Sequence, residues 1–343
     1  MATTDLQSAA SSGTLAQVPP AEMTVEALCA PNASGNTALH LAAKYGGLID
    51  LPKGILSAKL LAIRNYAGYT PLHHAAIGGH LNQVPAELLT PAALAARSNA
   101  GYTVFHVAAA QGNLAQLPTG LLTEEVLLDR SEVGNTLFHE AAENGTLDRI
   151  PAGLLTQAAL GQANRAGETV LHAAAFNGHL DQVPRELLTL AGLRAKTGAG
   201  DTVFHAAAIS GHLGQIPAEL LTHENLVAAS RNGFTAIHAA AETGQLDRIP
   251  RGQLTADLLL TPNENGDTPL HAAAFTGHLD QIPVELLTPE RIKTRNYDGV
   301  TVLQAAVSRG FGEQLPAALR PRPPGFIRRL LRRLAAAPVP FAH

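Results

Sequence analysis

Eight histidines stand at strictly equal intervals, at His40, His73, His106, His139, His172, His205, His238 and His271, each 33 residues from the next. Imidazole is the commonest metal ligand and the side chain best placed for proton transfer near neutral pH. The column therefore raises metal binding and acid–base catalysis first. The spacing argues against both. If each His belongs to one packed helical unit, successive rings lie about 8–10 Å apart. Two ligands of one Zn²⁺, each about 2.0–2.1 Å from the metal, need donor atoms about 3–4 Å apart. Neighbouring members of the column cannot share an ion. Hydrolytic chemistry fares no better: an active site is a unique, asymmetric constellation converging on one pocket, whereas Ser, Asp and His here recur as repeat elements. Glycines never form the Gly-x-x-x-x-Gly-Lys loop that cradles phosphate. The single Cys29 excludes a disulfide framework and a Cys-based zinc site. The sequence thus predicts no catalytic residue, no metal and no cofactor. Each imidazole is expected to hydrogen-bond the backbone of the neighbouring turn, because a buried polar group left unpaired costs about 1–3 kcal/mol.

The elements that must position these rings repeat with them. One further step of 33 in either direction finds Gln7 and Gln304 in the His slot; Gly columns run from Gly13 to Gly310 and from Gly35 to Gly299, and a Pro column runs from Pro19 to Pro316. A fixed period of this size dictates a stacked array in which each unit buries its apolar face on the next. Within a unit such as Asn65–Arg97, the turn Asn65-Tyr66-Ala67-Gly68-Tyr69 calls for positive φ at its Gly. Thr70-Pro71 then supplies an N-cap hydroxyl and a Pro at the first helical position. A short helix with Leu72, Ala75 and Ala76 on one face ends at Gly79. Leu81–Leu89 carries Pro85 and is expected to form one short helix or 3₁₀ segment. A second cap column (Thr24, Ser57, Thr90, Thr123, Thr156, Thr189, Thr222, Thr255, Thr288) opens a last short helix, anchored by residues such as Leu94 and Ile292.

Thr70-Pro71-Leu72-His73-His74-Ala75 and Thr268-Pro269-Leu270-His271-Ala272-Ala273 match the Thr-Pro-Leu-His-x-Ala signature of the ankyrin repeat, at the ankyrin period. Thr37-Ala38-Leu39-His40, Thr136-Leu137-Phe138-His139 and Thr169-Val170-Leu171-His172 are close to it. Over residues 1–320 the chain resembles an ankyrin-repeat protein, departing from it in the second half of each unit, where Gln-Val/Ile-Pro-x-x-Leu-Leu-Thr replaces an uninterrupted outer helix. The expected fold is all-α: an ankyrin-like α-solenoid of about ten 33-residue repeats with short turns. The domain reading is a worn N-terminal capping repeat (1–31), the repeat array (32–319) and a Pro/Arg-rich segment with a short basic helix (320–343).

The resemblance implies a scaffold or adaptor that binds another protein in a concave groove formed by turn tips and inner helices; a non-enzymatic, intracellular monomer is expected. Two columns vary along that face while their neighbours do not. After the turn Gly stand Asn36, Tyr69, Tyr102, Asn135, Glu168, Asp201, Phe234, Asp267 and Val300; after Ala-Ala stand Lys44, Ile77, Ala110, Glu143, Phe176, Ile209, Glu242, Phe275 and Ser308. Mapped residue by residue, the partner-binding candidates are Tyr66, Tyr69, Ile77, Tyr102, Phe176, Ile209, Phe234, Phe275 and Tyr297. The competing assignment for Ile77, Phe176, Ile209 and Phe275 is gap-filling between helices.

Net charge separates body from tail. Arg320, Arg322, Arg328, Arg329, Arg332 and Arg333 follow the last acid, Glu313; without them 18 of the 24 Lys and Arg face 28 acids, so the body is about −10 and the tail +6. An acidic body is a poor match to phosphate backbones, and no nucleic-acid partner is expected. In the tail, Phe326, Ile327, Leu330, Leu331 and Leu334 share one helical face opposite Arg328, Arg329, Arg332 and Arg333. That helix is expected either to cap the last repeat or to contact an anionic membrane surface or an acidic partner. With no basic-then-apolar leader and no apolar run of about 18 residues, a cytoplasmic location is expected.

Overall fold

The structure, a computed structural model, describes residues 3–151 and 153–320 of the 343; the basic helix expected at Arg328, Arg329, Arg332 and Arg333 lies outside the described residues. The chain divides into two compact units, one of Met1–Leu220 with Ala228–Arg231, the other of Leu221–Val227 with Asn232–His343.

Ten inner helices carry the Leu-His-x-Ala-Ala pattern and its terminal variants among the described residues: α1 (Thr3–Ser12), α2 (Ala38–Tyr45), α3 (Pro71–Gly78), α4 (Val104–Ala110), α5 (Leu137–Asn144), α6 (Val170–Asn177), α7 (Val203–Ile209), α8 (Ala236–Glu242), α9 (Pro269–Thr276) and α10 (Val302–Ser308). In the first unit α1 to α7 pack each on the next in chain order, and in the second α8 to α10 do the same. Each helix is short and could not persist alone; burial against its neighbours supplies the stability. Helix α3 shows how. Thr70 sits extended at the N-cap, Pro71 fixes the first turn, and Gly79 ends the helix at φ 75°. Leu72, Ala75 and Ala76 are wholly buried. Small side chains let the helices approach so closely that a Cβ on Gly78 would lie 1.9 Å from the Lys44 carbonyl oxygen.

Between α3 and α4 the chain forms two one-turn 3₁₀ helices, Leu81–Gln83 and Ala86–Leu88, where the sequence suggested one segment. The divider is the Val84–Pro85 pair: Val84 is extended (φ −83°, ψ 131°), as the residue before a proline must be to clear its ring. A further helix, Pro91–Leu94, is capped by Thr90, whose hydroxyl accepts from the Ala93 N–H at 3.2 Å.

The turns form a ladder of their own. Asn65 Oδ1 accepts from the N–H groups of Ala67 and Tyr69, and the Asn99 N–H donates to the Ala67 carbonyl of the preceding turn at 2.9 Å. Gly68 has φ 80°, and a Cβ there would lie 2.7 Å from the Asn99 nitrogen; both the conformation and the contact exclude a side chain. Isolated bridges Ala163–Thr169 and Arg295–Thr301 are the β pairings among the described residues.

Candidate functional site

The histidine column resolves into a buried clip that recurs between neighbouring repeats within each compact unit. The Thr37 N–H donates to His40 Nδ1 at 3.1 Å. That fixes Nδ1 as an acceptor and leaves the proton on Nε2, which donates to the Tyr69 carbonyl of the next repeat at 3.1 Å. The same link joins His73 to Tyr102, His106 to Asn135, His139 to Glu168, His172 to Asp201, His238 to Asp267 and His271 to Val300. Both ring nitrogens are occupied, one capping its own helix and the other holding the following turn. Burial drives the His73 and His139 pKa values down to about 4, which keeps the rings neutral, as this bonding pattern requires.

A second clip was not recognised from sequence. Gln182 Nε2 donates to the Gly145 carbonyl, and its Oε1 accepts from the Leu147 N–H, spanning to the preceding repeat. Gln116, Gln215, Gln281 and Gln314 make the equivalent pair of bonds. The recurring Gln two residues before the column Pro was visible as a motif; its inter-repeat role depends on side-chain direction, which the motif does not specify.

With the recurring polar groups occupied, the variable columns remain. In the first unit Tyr66 is 71% exposed, Phe176 54% and Ile209 44%, while Ile77 is half-buried. Tyr69 and Tyr102 are half-buried and stand edge-on to His73 and His106, with ring centroids 5.2 and 6.1 Å apart. In the second unit Tyr297 is exposed; Phe234 lies beside His238, and Phe275 is half-buried beneath Arg309, whose guanidinium is 5.9 Å from the ring centre. Phe176 and Ile209 are thus more exposed than Ile77 and Phe275.

Phe176 and Ile209 are brought together in an open groove of about 760 Å³ over α5, α6 and α7, lined also by Glu143, Glu168, His172, Ala173, Thr197 and Asp201. Next to it, Asn135 Nδ2 donates at 3.0 Å to both Glu140 and Glu143, and Asn164 bridges Asn135 and Glu168. Glu140 is only 7% exposed; burial, with Glu143 adding to it, pushes its pKa up to about 7. Burial also raises Glu143. Sequence reading passed over Glu140. Its signal was there: the residue after the column His is Leu41, His74, Val107, Glu140, Ala173, Ala206, Ala239 and Ala272, with one carboxylate among them.

The family model described as ankyrin repeat matches residues 265–288, beginning in the turn before α9 and running through it. That match, with the helical repeats of the same period, supports an ankyrin-repeat protein. No curated protein matches the chain. Ankyrin repeats as a family mediate protein–protein interaction, and the signature Thr and His serve here, as the clips show, to build the array. No helix among the described residues is long and apolar enough to cross a membrane.

Proposed function

We propose that this ankyrin array is a scaffold or adaptor that binds another protein through the face formed by its turn tips and inner helices. Tyr66, Tyr69, Ile77, Tyr102, Phe176 and Ile209 contribute in the first unit, and Phe234, Phe275 and Tyr297 in the second. The observation that carries this reading is the exposure of Phe176 and Ile209 beside one another in a groove lined also by the buried His172 and Ala206 and the exposed Glu143 and Asn177. Exposed aromatic and aliphatic groups clustered in a concavity are the usual anchors of a protein interface. The test begins with affinity capture by the full chain and identification of a direct partner. Its Kd should then weaken about tenfold or more for Phe176→Ala or Ile209→Ala, the loss of one hot spot. A partner whose affinity ignores these variants and the Tyr69→Ala and Tyr102→Ala variants, but responds to substitution of Glu87 or Glu186 in the outer 3₁₀ turns, would overturn the assignment.

A further inference from the structure

The groove over α5, α6 and α7 also has a chemistry. Its carboxylates, Glu143, Glu168 and Asp201, stand against the exposed Phe176 and Ile209, and Glu140 is buried beside them. Among the described residues no Lys or Arg forms an ion pair with any of these four; the ion pairs Arg97–Asp129 and Arg185–Glu219 of the same unit use other acids. Carboxylates drawn together at the edge of an apolar surface repel one another and lose hydration. They are stabilised when a cation enters.

A second observation, from the other unit, shows which cation fits. Phe275 occupies the same repeat position as Phe176, and there the chain sets its own Arg309 guanidinium over the ring at 5.9 Å, within range of a cation–π contact. The position equivalent to Arg309 beside Phe176 holds Ser210, whose hydroxyl bonds the Ala175 and Ala206 carbonyls. The ring over α6 is therefore open where its counterpart is covered, and three carboxylates lie around it.

We infer that this groove binds an extended, basic segment of the partner protein, with an arginine over Phe176 bonded to Glu143 and Glu168 and an apolar neighbour against Ile209. The inference rests on the concave-face reading and gives it a partner class. Arg suits the place better than Lys, because its planar guanidinium can stack on the ring and fork to a carboxylate together.

The test uses the full-length chain and fluorescein-labelled synthetic peptides, read by anisotropy at low and high salt. One peptide alternates Arg with Leu, one Lys with Leu, and one Glu with Leu. The Arg peptide is expected to bind most tightly and the Glu peptide not at all. The Glu143→Gln/Glu168→Gln double variant, which keeps side-chain shape, should weaken Arg-peptide binding about tenfold and flatten its salt dependence. Equal binding of the Arg and Glu peptides, or an unchanged affinity in the double variant, overturns the basic-partner inference. If Phe176→Ala and Ile209→Ala then still weaken both peptides, the concave-face reading stands without it. If they too change nothing, that reading falls as well.

Discussion

The buried columns and the variable strip lie on the same short helices and are opposite in character. His139 and Thr136 are wholly buried, and the ring joins its own helix cap to the next turn. Phe176, on the following helix, is more than half exposed. One set of positions is uniform because every copy must make the same bonds; the other differs from copy to copy, from the buried, hydrogen-bonded Asn135 to the exposed Phe176 and Ile209. In this protein, repetition encodes shape, and its interruptions are where recognition can be written.

Acid should expose the buried columns most strongly. His73 and His139 have folded pKa values of about 4 against an ordinary 6.5, so the unfolded chain takes up protons first as pH falls. Stability is complete above about pH 6.5 and is lost progressively towards pH 4, by up to about 3 kcal/mol for each such ring. Urea midpoints measured across that window should fall steeply; a flat profile would remove the neutral-clip assignment. Next in size is His139→Ala. It leaves the buried Thr136 N–H without its acceptor, removes the link to the Glu168 carbonyl and opens a cavity, and should cost about 2–4 kcal/mol in urea unfolding. Gln182→Ala, which breaks a half-buried clip between repeats, should cost about 1–2 kcal/mol in the same assay.

Glu140→Gln sharpens the contrast by reversing the sign. A carboxylate with its folded pKa raised to about 7 destabilises the fold where it is ionised. The neutral amide should therefore raise the midpoint at pH 8, by about 1 kcal/mol, and the gain should vanish near pH 5. A loss of stability at pH 8 would show that the carboxylate is instead a structural acceptor for Asn135.

How much of this the chain announces follows the same division. The period, the Thr caps, the positive-φ Gly of each turn and the His link to the neighbouring turn are all legible, since each rests on local chemistry repeated from copy to copy along the chain. The split at Val84–Pro85 was legible only in part: proline forbids a continuous helix, but whether one turn or two form depends on how Leu81 and Leu89 are drawn into the core. The Gln182 bridge and the meeting of Glu143, Glu168 and Phe176 were hidden because they join residues one repeat apart through side-chain direction, which spacing does not specify. Glu140 was visible as an exception in its column, yet its burial depends on the packing of α4 against α5.

The most direct test of the account is the urea midpoint of a Phe176→Ala/Ile209→Ala variant measured beside that of the wild type. Side chains that are 54% and 44% exposed should cost no more than about 0.5 kcal/mol each when truncated, leaving the midpoint almost where it was. A core-sized loss of about 3 kcal/mol or more would mean that these residues hold the helices together, and the distinction between a strip for recognition and columns for shape would be wrong.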